Sequence, residues 1–224
     1  KRQLRYGNYA IFKTPITALL HGSSNVVWLG TRSGLRRFQA GVVQLVGSSE
    51  TAAVQDVRAI AEDGAGTIWF GIMGGGLGCY RNGVVRQYRM ADGLPSDFIL
   101  TLSFSDANTL WIGTSGGGLA RLRDGKFSHL GVRHGLPSSI IMHLQYDTFG
   151  YCWLSTANGI FRVSTNQLEE CANGLRPRLS GVTYGMRDGL PTMECSGGFQ
   201  PAGCQTHDGR LWFPTRKGLV SIRP

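Results

Sequence analysis

Apolar and polar residues alternate in Val84-Val85-Arg86-Gln87-Tyr88-Arg89, the signature of a half-exposed outer strand. Ile99-Leu100-Thr101-Leu102-Ser103-Phe104 is more uniformly apolar and fits an inner strand. Around them, the pattern predicts four short strands at 57–62, 67–72, 77–81 and 84–89, separated by Gly-rich turns. The motif then recurs. The five tryptophans, Trp28, Trp69, Trp111, Trp153 and Trp212, are spaced 41, 42, 42 and 59 residues apart. A fixed period near 42 identifies a repeat architecture.

Alignment on Trp exposes the repeat's columns. Three residues before it stand Asn25, Gly66, Asn108, Gly150 and Gly209, residue types that tolerate tight turns. Two residues after it stand Gly30, Gly71, Gly113, Ser155 and Pro214; next come Thr31, Ile72, Thr114, Thr156 and Thr215. Six after it runs a glycine column, Gly34, Gly75, Gly117, Gly159 and Gly218, read as turn-forming. A second marker lies between the tryptophans: Asp92-Gly93-Leu94-Pro95-Ser96, His134-Gly135-Leu136-Pro137-Ser138 and Asp188-Gly189-Leu190-Pro191-Thr192. The longer last spacing reflects added residues, of which the polar stretch 165–180 predicts a loop or short helix.

Four strands per 42 residues is the arithmetic of an all-β fold, a β-propeller of four-stranded blades. About five blades are expected, at 14–47, 54–90, 97–131, 139–187 (insertion 165–180) and 198–224, forming either a closed five-blade ring or an arc of a seven-blade propeller. A lone strand at 3–10 would complete the last blade. One blade cannot bury both its faces, so neighbours must stack. The five tryptophans are read as structural, packing between blades.

Composition agrees. Of 224 residues, 33 are glycine, and 42% hydrophobic against 17% charged excludes a disordered tail. The net charge of +9 comes mostly from arginines dispersed along the chain, with no run of like charge, so no nucleic-acid partner is expected. No apolar run is long enough for membrane insertion. The chain does not open on Met and reads as a piece of something longer.

These columns resemble the two-component regulator propeller repeat, whose pattern D-x-x-G-x-[IL]-W-[IFL]-G-T-x-x-G-G-L precedes D-G-L-P-S. Here it stands as Asp63-Gly64-Ala65-Gly66-Thr67-Ile68-Trp69-Phe70-Gly71 and as Thr109-Leu110-Trp111-Ile112-Gly113-Thr114-Ser115-Gly116-Gly117-Gly118-Leu119. Residues 188–224 resemble the family's last repeat. Repeat one departs at His21-Gly22-Ser23-Ser24-Asn25, where Asp is usual, and repeat five at Pro214. The resemblance implies the periplasmic sensor propeller of a bacterial inner-membrane receptor with a histidine kinase or diguanylate cyclase output. A small molecule such as a saccharide would be the ligand, and the receptor context allows a homodimer. The fragment itself would not be an enzyme and would need no cofactor. The alternative is a propeller-fold glycoside-acting enzyme or lectin.

Strand order places the loops after each second strand and before each first strand at one end. Ligand-binding candidates there are Arg32, Met73, Ser96, Asp97, Ser115, Ser138, Asn158, Glu194, Arg216 and Lys217, because these loops vary between blades. A glycosidase needs two placed carboxylates; Glu194 and Asp97 are available, but nothing in the sequence brings them together. Asp63, Asp106, Asp147 and Asp208 sit in repeated turns, where Asx hydrogen bonding explains them. The five histidines show no metal-ligand spacing, so no metal is expected. Cys195 and Cys204 are read as free buried thiols, with a bridge between them as the alternative.

Overall fold

The computed structural model describes residues 14–47 and 55–224. Five antiparallel sheets follow one another as the blades of a propeller. Blade 1 contains β1 (Ile16–His21), β2 (Val27–Thr31), β3 (Gly34–Gln39) and β4 (Val42–Leu45). Blade 2 contains β5 (Val57–Glu62), β6 (Ile68–Ile72), β7 (Gly76–Arg81) and β8 (Val84–Tyr88). Blade 3 contains β9 (Ile99–Phe104), β10 (Thr109–Thr114), β11 (Leu119–Arg123) and β12 (Lys126–Leu130). Blade 4 contains β13 (Ile141–Tyr146), β14 (Tyr151–Thr156), β15 (Gly159–Ser164), a helix α1 (Thr165–Ala172) and β16 (Val182–Tyr184). Blade 5 contains β17 (Cys204–Gln205), β18 (Leu211–Thr215) and β19 (Gly218–Ile222). The strand expected at 3–10 lies outside the described residues.

Each blade buries side chains against the next. Ala18, Trp28 and Leu35 of blade 1 meet Ile60, Phe70 and Ile72 of blade 2. Ala59, Ala61 and Leu77 meet Ile99, Leu102 and Ile112 of blade 3. Trp111 and Leu119 meet Ile141, Leu154 and Phe161 of blade 4, and Trp153 and Ile160 meet Leu211 and Phe213 of blade 5. The opposite side of blade 5, with Trp212, Pro214 and Leu219, lines an open apolar groove.

Trp28, Trp111 and Trp153 are buried, whereas Trp212 lines the open groove of blade 5, so the five are not equivalent. Trp28 meets Tyr80 of blade 2 edge-on, whereas Trp69 and Trp153 stack on Tyr88 and Tyr184 of their own blades. Two glycine columns also separate. Gly71 and Gly113 lie within strands β6 and β10, not at corners. A Cβ on Gly71 would meet the side chain of Ile99, and one on Gly113 the carbonyl of Ile141, so the next blade's inner strand packs directly on this backbone. The turn glycine is the last of each triplet in blades 2 and 3. Gly76, Gly118 and Gly159 have φ of 79°, 77° and 96°, and a Cβ on each would strike the carbonyl oxygen of Tyr88, Leu130 or Tyr184. The column therefore slips by one residue where the triplet occurs.

Between blades, the Gly-Leu-Pro segments form short 3₁₀ turns ending at Gly93, Gly135 and Gly189, all left-handed. Leu94, Leu136 and Leu190 are buried behind them. Helix α1 occupies the insertion and docks on blade 3, where the nearly buried Arg121 donates to Glu169 Oε2 at 2.6 Å and to Asn173 Oδ1 at 2.8 Å.

Gly71→Ala is expected to destabilise the protein by about 2 kcal/mol, since the β-branched Ile99 of the next blade must shift. Urea unfolding measures this; Gly131→Ala, where a Cβ meets nothing and φ is −122°, is the control that should lose little.

Candidate functional site

The loops expected to share one end do so, and they are stitched together by main-chain hydrogen bonds. Asp56 N donates to Arg32 O (3.0 Å), Gly76 N to Asp97 O (2.8 Å), Gly118 N to Ser139 O (2.8 Å) and Gly159 N to Met193 O (2.7 Å). Each bond ties the turn of one blade to the segment entering the next. Within most turns a threonine closes the loop: Thr31, Thr114, Thr156 and Thr215 each donate to a glycine carbonyl at 2.7–2.8 Å. Blade 2 has Ile72 in that column, and Gln87 reaches Gly75 O instead.

The candidates divide by what their side chains do. Ser96 is buried and donates to Ser115 O at 2.9 Å; Ser138 is buried and accepts from Ile140 N at 3.0 Å. Asn158 donates through Nδ2 to Pro137 O at 2.9 Å, and Asp97 accepts from Met90 N at 2.9 Å. These four brace the loops. Ser115 contributes its backbone, pairing with Ile140. Glu194 and Arg216 form an ion pair at 3.0 Å on the surface, where such a pair contributes little stability. Arg32, Met73, Arg216 and Lys217 project into solvent. Asp97 and Glu194 are each engaged locally and form no carboxylate pair.

The centre of the propeller is not an open channel. Segment 196–203 leaves blade 5 and runs along the axis. Gln200 N donates to Thr17 O at 2.9 Å, and the Gln200 amide clasps both backbone groups of Ile60, at 2.5 and 2.8 Å. Arg58 Nη1 donates to Gly198 O at 3.2 Å. Gly198 faces Leu100, Gly197 packs on Met142, and Gly203 packs on the His143 ring. The segment thus touches the innermost strands of the other four blades.

A shared irregularity builds this cradle. Strands β1, β5, β9 and β13 each break register after their first residue, at Thr17, Arg58, Leu100 and Met142. A bulge leaves a residue out of the ladder and re-aims it. Here the four bulged residues are the ones that meet the axial segment. Two exposed aromatics, Phe98 at this end and Phe199 in the open groove of blade 5, were not singled out from sequence. The clue for Phe98 was its place directly after the candidate Asp97.

At the opposite end the turn aspartates are structural. Asp63 accepts from Ala65 N, Thr67 N and Trp69 Nε1, and Asp147 repeats the pattern with Phe149, Tyr151 and Trp153. Burial alone would raise the Asp63 pKa, but these hydrogen bonds outweigh it and hold the carboxyl below its ordinary value. Cys195 is buried as expected; Cys204 is exposed, because it starts an edge strand, and both are free.

With this geometry, the chain can be set beside known proteins. No protein-family model and no curated protein matches it. Among solved structures it is similar to the extracellular domain of BT3049 from B. thetaiotaomicron, described as a hybrid two component system. The TM-score is 0.80 at 22% identity over 100% of this chain and 30% of that one. It is also similar to the extracellular domain of BT4673 from the same organism, described as a one component system, with TM-score 0.70 and 18% identity over 94% of this chain and 30% of that one. Virginiamycin B lyase from Staphylococcus aureus aligns with TM-score 0.63 and 13% identity over 94% of this chain and 70% of that one. The fold is therefore that of extracellular propellers of signalling systems, and also one that enzymes use. This chain spans about 30% of the length of the first two.

Gln200→Ala would strip both partners from the buried Ile60 backbone and is expected to cost about 2 kcal/mol. Hydrogen exchange at the Ile60 amide should speed accordingly. His143, under Gly203 and edge-on to Phe213, has its pKa pushed down by burial to about 4, against a hydrogen bond with Gln145 that raises it. The unfolded chain therefore binds a proton first, and stability falls as pH drops from about 6.5 to about 4, by at most about 3 kcal/mol. His143→Gln should flatten that slope in urea titrations across this range.

Proposed function

We propose that this chain is part of the extracytoplasmic, periplasmic sensing propeller of a bacterial membrane receptor with a kinase or cyclase output. The observation that carries the reading is the likeness over the whole chain to the extracellular domain of a hybrid two component system. The local chemistry fits recognition better than turnover: the carboxylates of the loop end are tied to backbone, to Arg58 or to Arg216, and the axis is filled by the protein's own segment. No helix among the described residues is long and apolar enough to cross a membrane, so this segment would not itself insert.

The ligand is a small molecule, with a saccharide the leading class, received on the loop end. Arg32, Met73, Phe98, Arg216 and Lys217 present cations and apolar groups there without internal work to do, apart from the weak Arg216–Glu194 pair. Membrane receptors of this layout would signal as homodimers. Nucleic acid is not a partner, because the arginines form no continuous track.

A glycan array probed with the chain, followed by product analysis of any bound oligosaccharide, tests the reading. Binding without cleavage is expected, and Arg32→Glu combined with Lys217→Glu should weaken binding of an anionic glycan about tenfold or more. Released sugar products would overturn the sensing role in favour of a glycoside-acting enzyme.

A further inference from the structure

The repeat's indole clip is lost in blades 1 and 3, where Gly22 and Ser105 stand in its column, and a cavity lies beside Ser105. In blades 2 and 4 the residue six before the tryptophan is an aspartate whose Oδ2 takes the indole N–H, Asp63 for Trp69 at 3.1 Å and Asp147 for Trp153 at 2.7 Å. Blade 5 uses Thr206 for Trp212 at 3.1 Å. Blade 3 has Ser105 in this column. Its backbone is equivalent, since Ser105 N donates to Thr109 O as Asp63 N does to Thr67 O. Its side chain is too short to span the gap, and the Trp111 indole makes no such bond among the described residues.

The second irregularity, helix α1, closes the same space from outside. Between them lies a cavity of about 310 Å³, walled by Ser105, Asp106 and Trp111 of blade 3, Tyr146 of blade 4, and Asn166 and Glu169 of α1. Asp106 accepts from Asn108 N at 2.8 Å, but two other polar atoms at the cavity wall are unspent. Glu169 Oε1 is buried without a protein partner, and the Tyr146 hydroxyl, beside Ser103, has no partner within ordinary hydrogen-bond distance. An unpaired buried polar atom is costly, so two bordering one cavity point to a ligand that supplies the missing bonds.

We propose that this inter-blade cavity is a binding site for a small neutral polyhydroxylated molecule of monosaccharide size. Charge decides the class. Glu169 already meets Arg121 at 2.6 Å and Arg123 at 3.3 Å through Oε2, so its charge is compensated, and what Oε1 lacks is a hydrogen-bond donor. Hydroxyl groups can donate to Glu169 Oε1 and Asp106 and accept from Tyr146 and the Asn166 amide. The volume suits one sugar ring, and pockets of this size with a few polar groups on an apolar wall are ordinary ligand sites. The site lies on the side away from the stitched loops, and the inference does not rest on the sensing role: binding here is measured on the isolated chain, signalling in the receptor.

The test is calorimetry with D-glucose, D-galactose, N-acetyl-D-glucosamine and myo-inositol, and with tetramethylammonium as the cationic control. One of the polyols should saturate with a Kd of about 1 mM, as one ring allows. Tyr146→Phe removes the orphaned hydroxyl and should weaken that binding about fivefold to tenfold while leaving thermal stability equal or higher. Ser105→Asp restores the indole clip, narrows the cavity beside Trp111 and should weaken binding at least tenfold in a chain at least as stable. Should Ser105→Asp fail to fold, Tyr146→Phe still decides. Saturation by none of the polyols, binding of tetramethylammonium alone, or polyol binding unchanged in Tyr146→Phe overturns the assignment. A polyol that binds normally in Ser105→Asp does the same.

Discussion

A four-stranded sheet with apolar side chains on both faces cannot stand in water alone, and the architecture of this chain answers that one constraint. Blade 2 illustrates it. Phe70 and Ile72 are buried toward blade 1 while Ala59 and Leu77 are buried toward blade 3. Removing either neighbour would expose a full face, so stability resides in interfaces between repeats more than in the repeats. The same constraint explains the mid-strand glycines. Ile99 and Ile141 press against the backbone of Gly71 and Gly113, and a methyl group there would hold the blades apart.

Stacking alone would leave a channel along the axis. The four bulged residues, Thr17, Arg58, Leu100 and Met142, and segment 196–203 fill it together. This gives an array of like repeats one unlike element, and it ties blade 5 to blade 1 through Gln200, Thr17 and Ala18. It also gives the two ends different characters. One end carries the braced loops with free cations and an exposed aromatic around a filled centre. The other carries aspartate clips that hold the tryptophans.

The individuality of the chain lies where the repeat departs from its own pattern. Ile72 replaces the loop-closing threonine and is compensated by Gln87. Ser105 replaces the clip aspartate without compensation, and α1 arrives beside it. The compensated departure is drift within a turn. The uncompensated one lies beside a cavity bordered by Glu169 Oε1 and the Tyr146 hydroxyl.

Much of the fold was legible in the sequence because it depends on short-range chemistry. The 42-residue spacing of tryptophan, the alternation in 84–89 and the Gly-Leu-Pro turns are set by strand length, pleat and left-handed φ, all local quantities. The sharing of one end by Arg32, Met73, Ser96, Asp97 and their counterparts followed from strand order. What the sequence could not supply was which of them brace the loops and which remain free. That depends on distances between blades, as in Asn158 reaching Pro137 across 21 residues of chain. The glycine triplets were misaligned by one because only the carbonyls of Tyr88 and Leu130, on neighbouring strands, identify the constrained position. The axial segment, the bulges that receive it and the cavity beside Trp111 arise from contacts among several blades at once. By itself the sequence determined the blade and its count, because each blade is a local object. Only the tertiary structure decided what fills the centre and where buried polar groups are left unpaired, because those are properties of the gaps between blades.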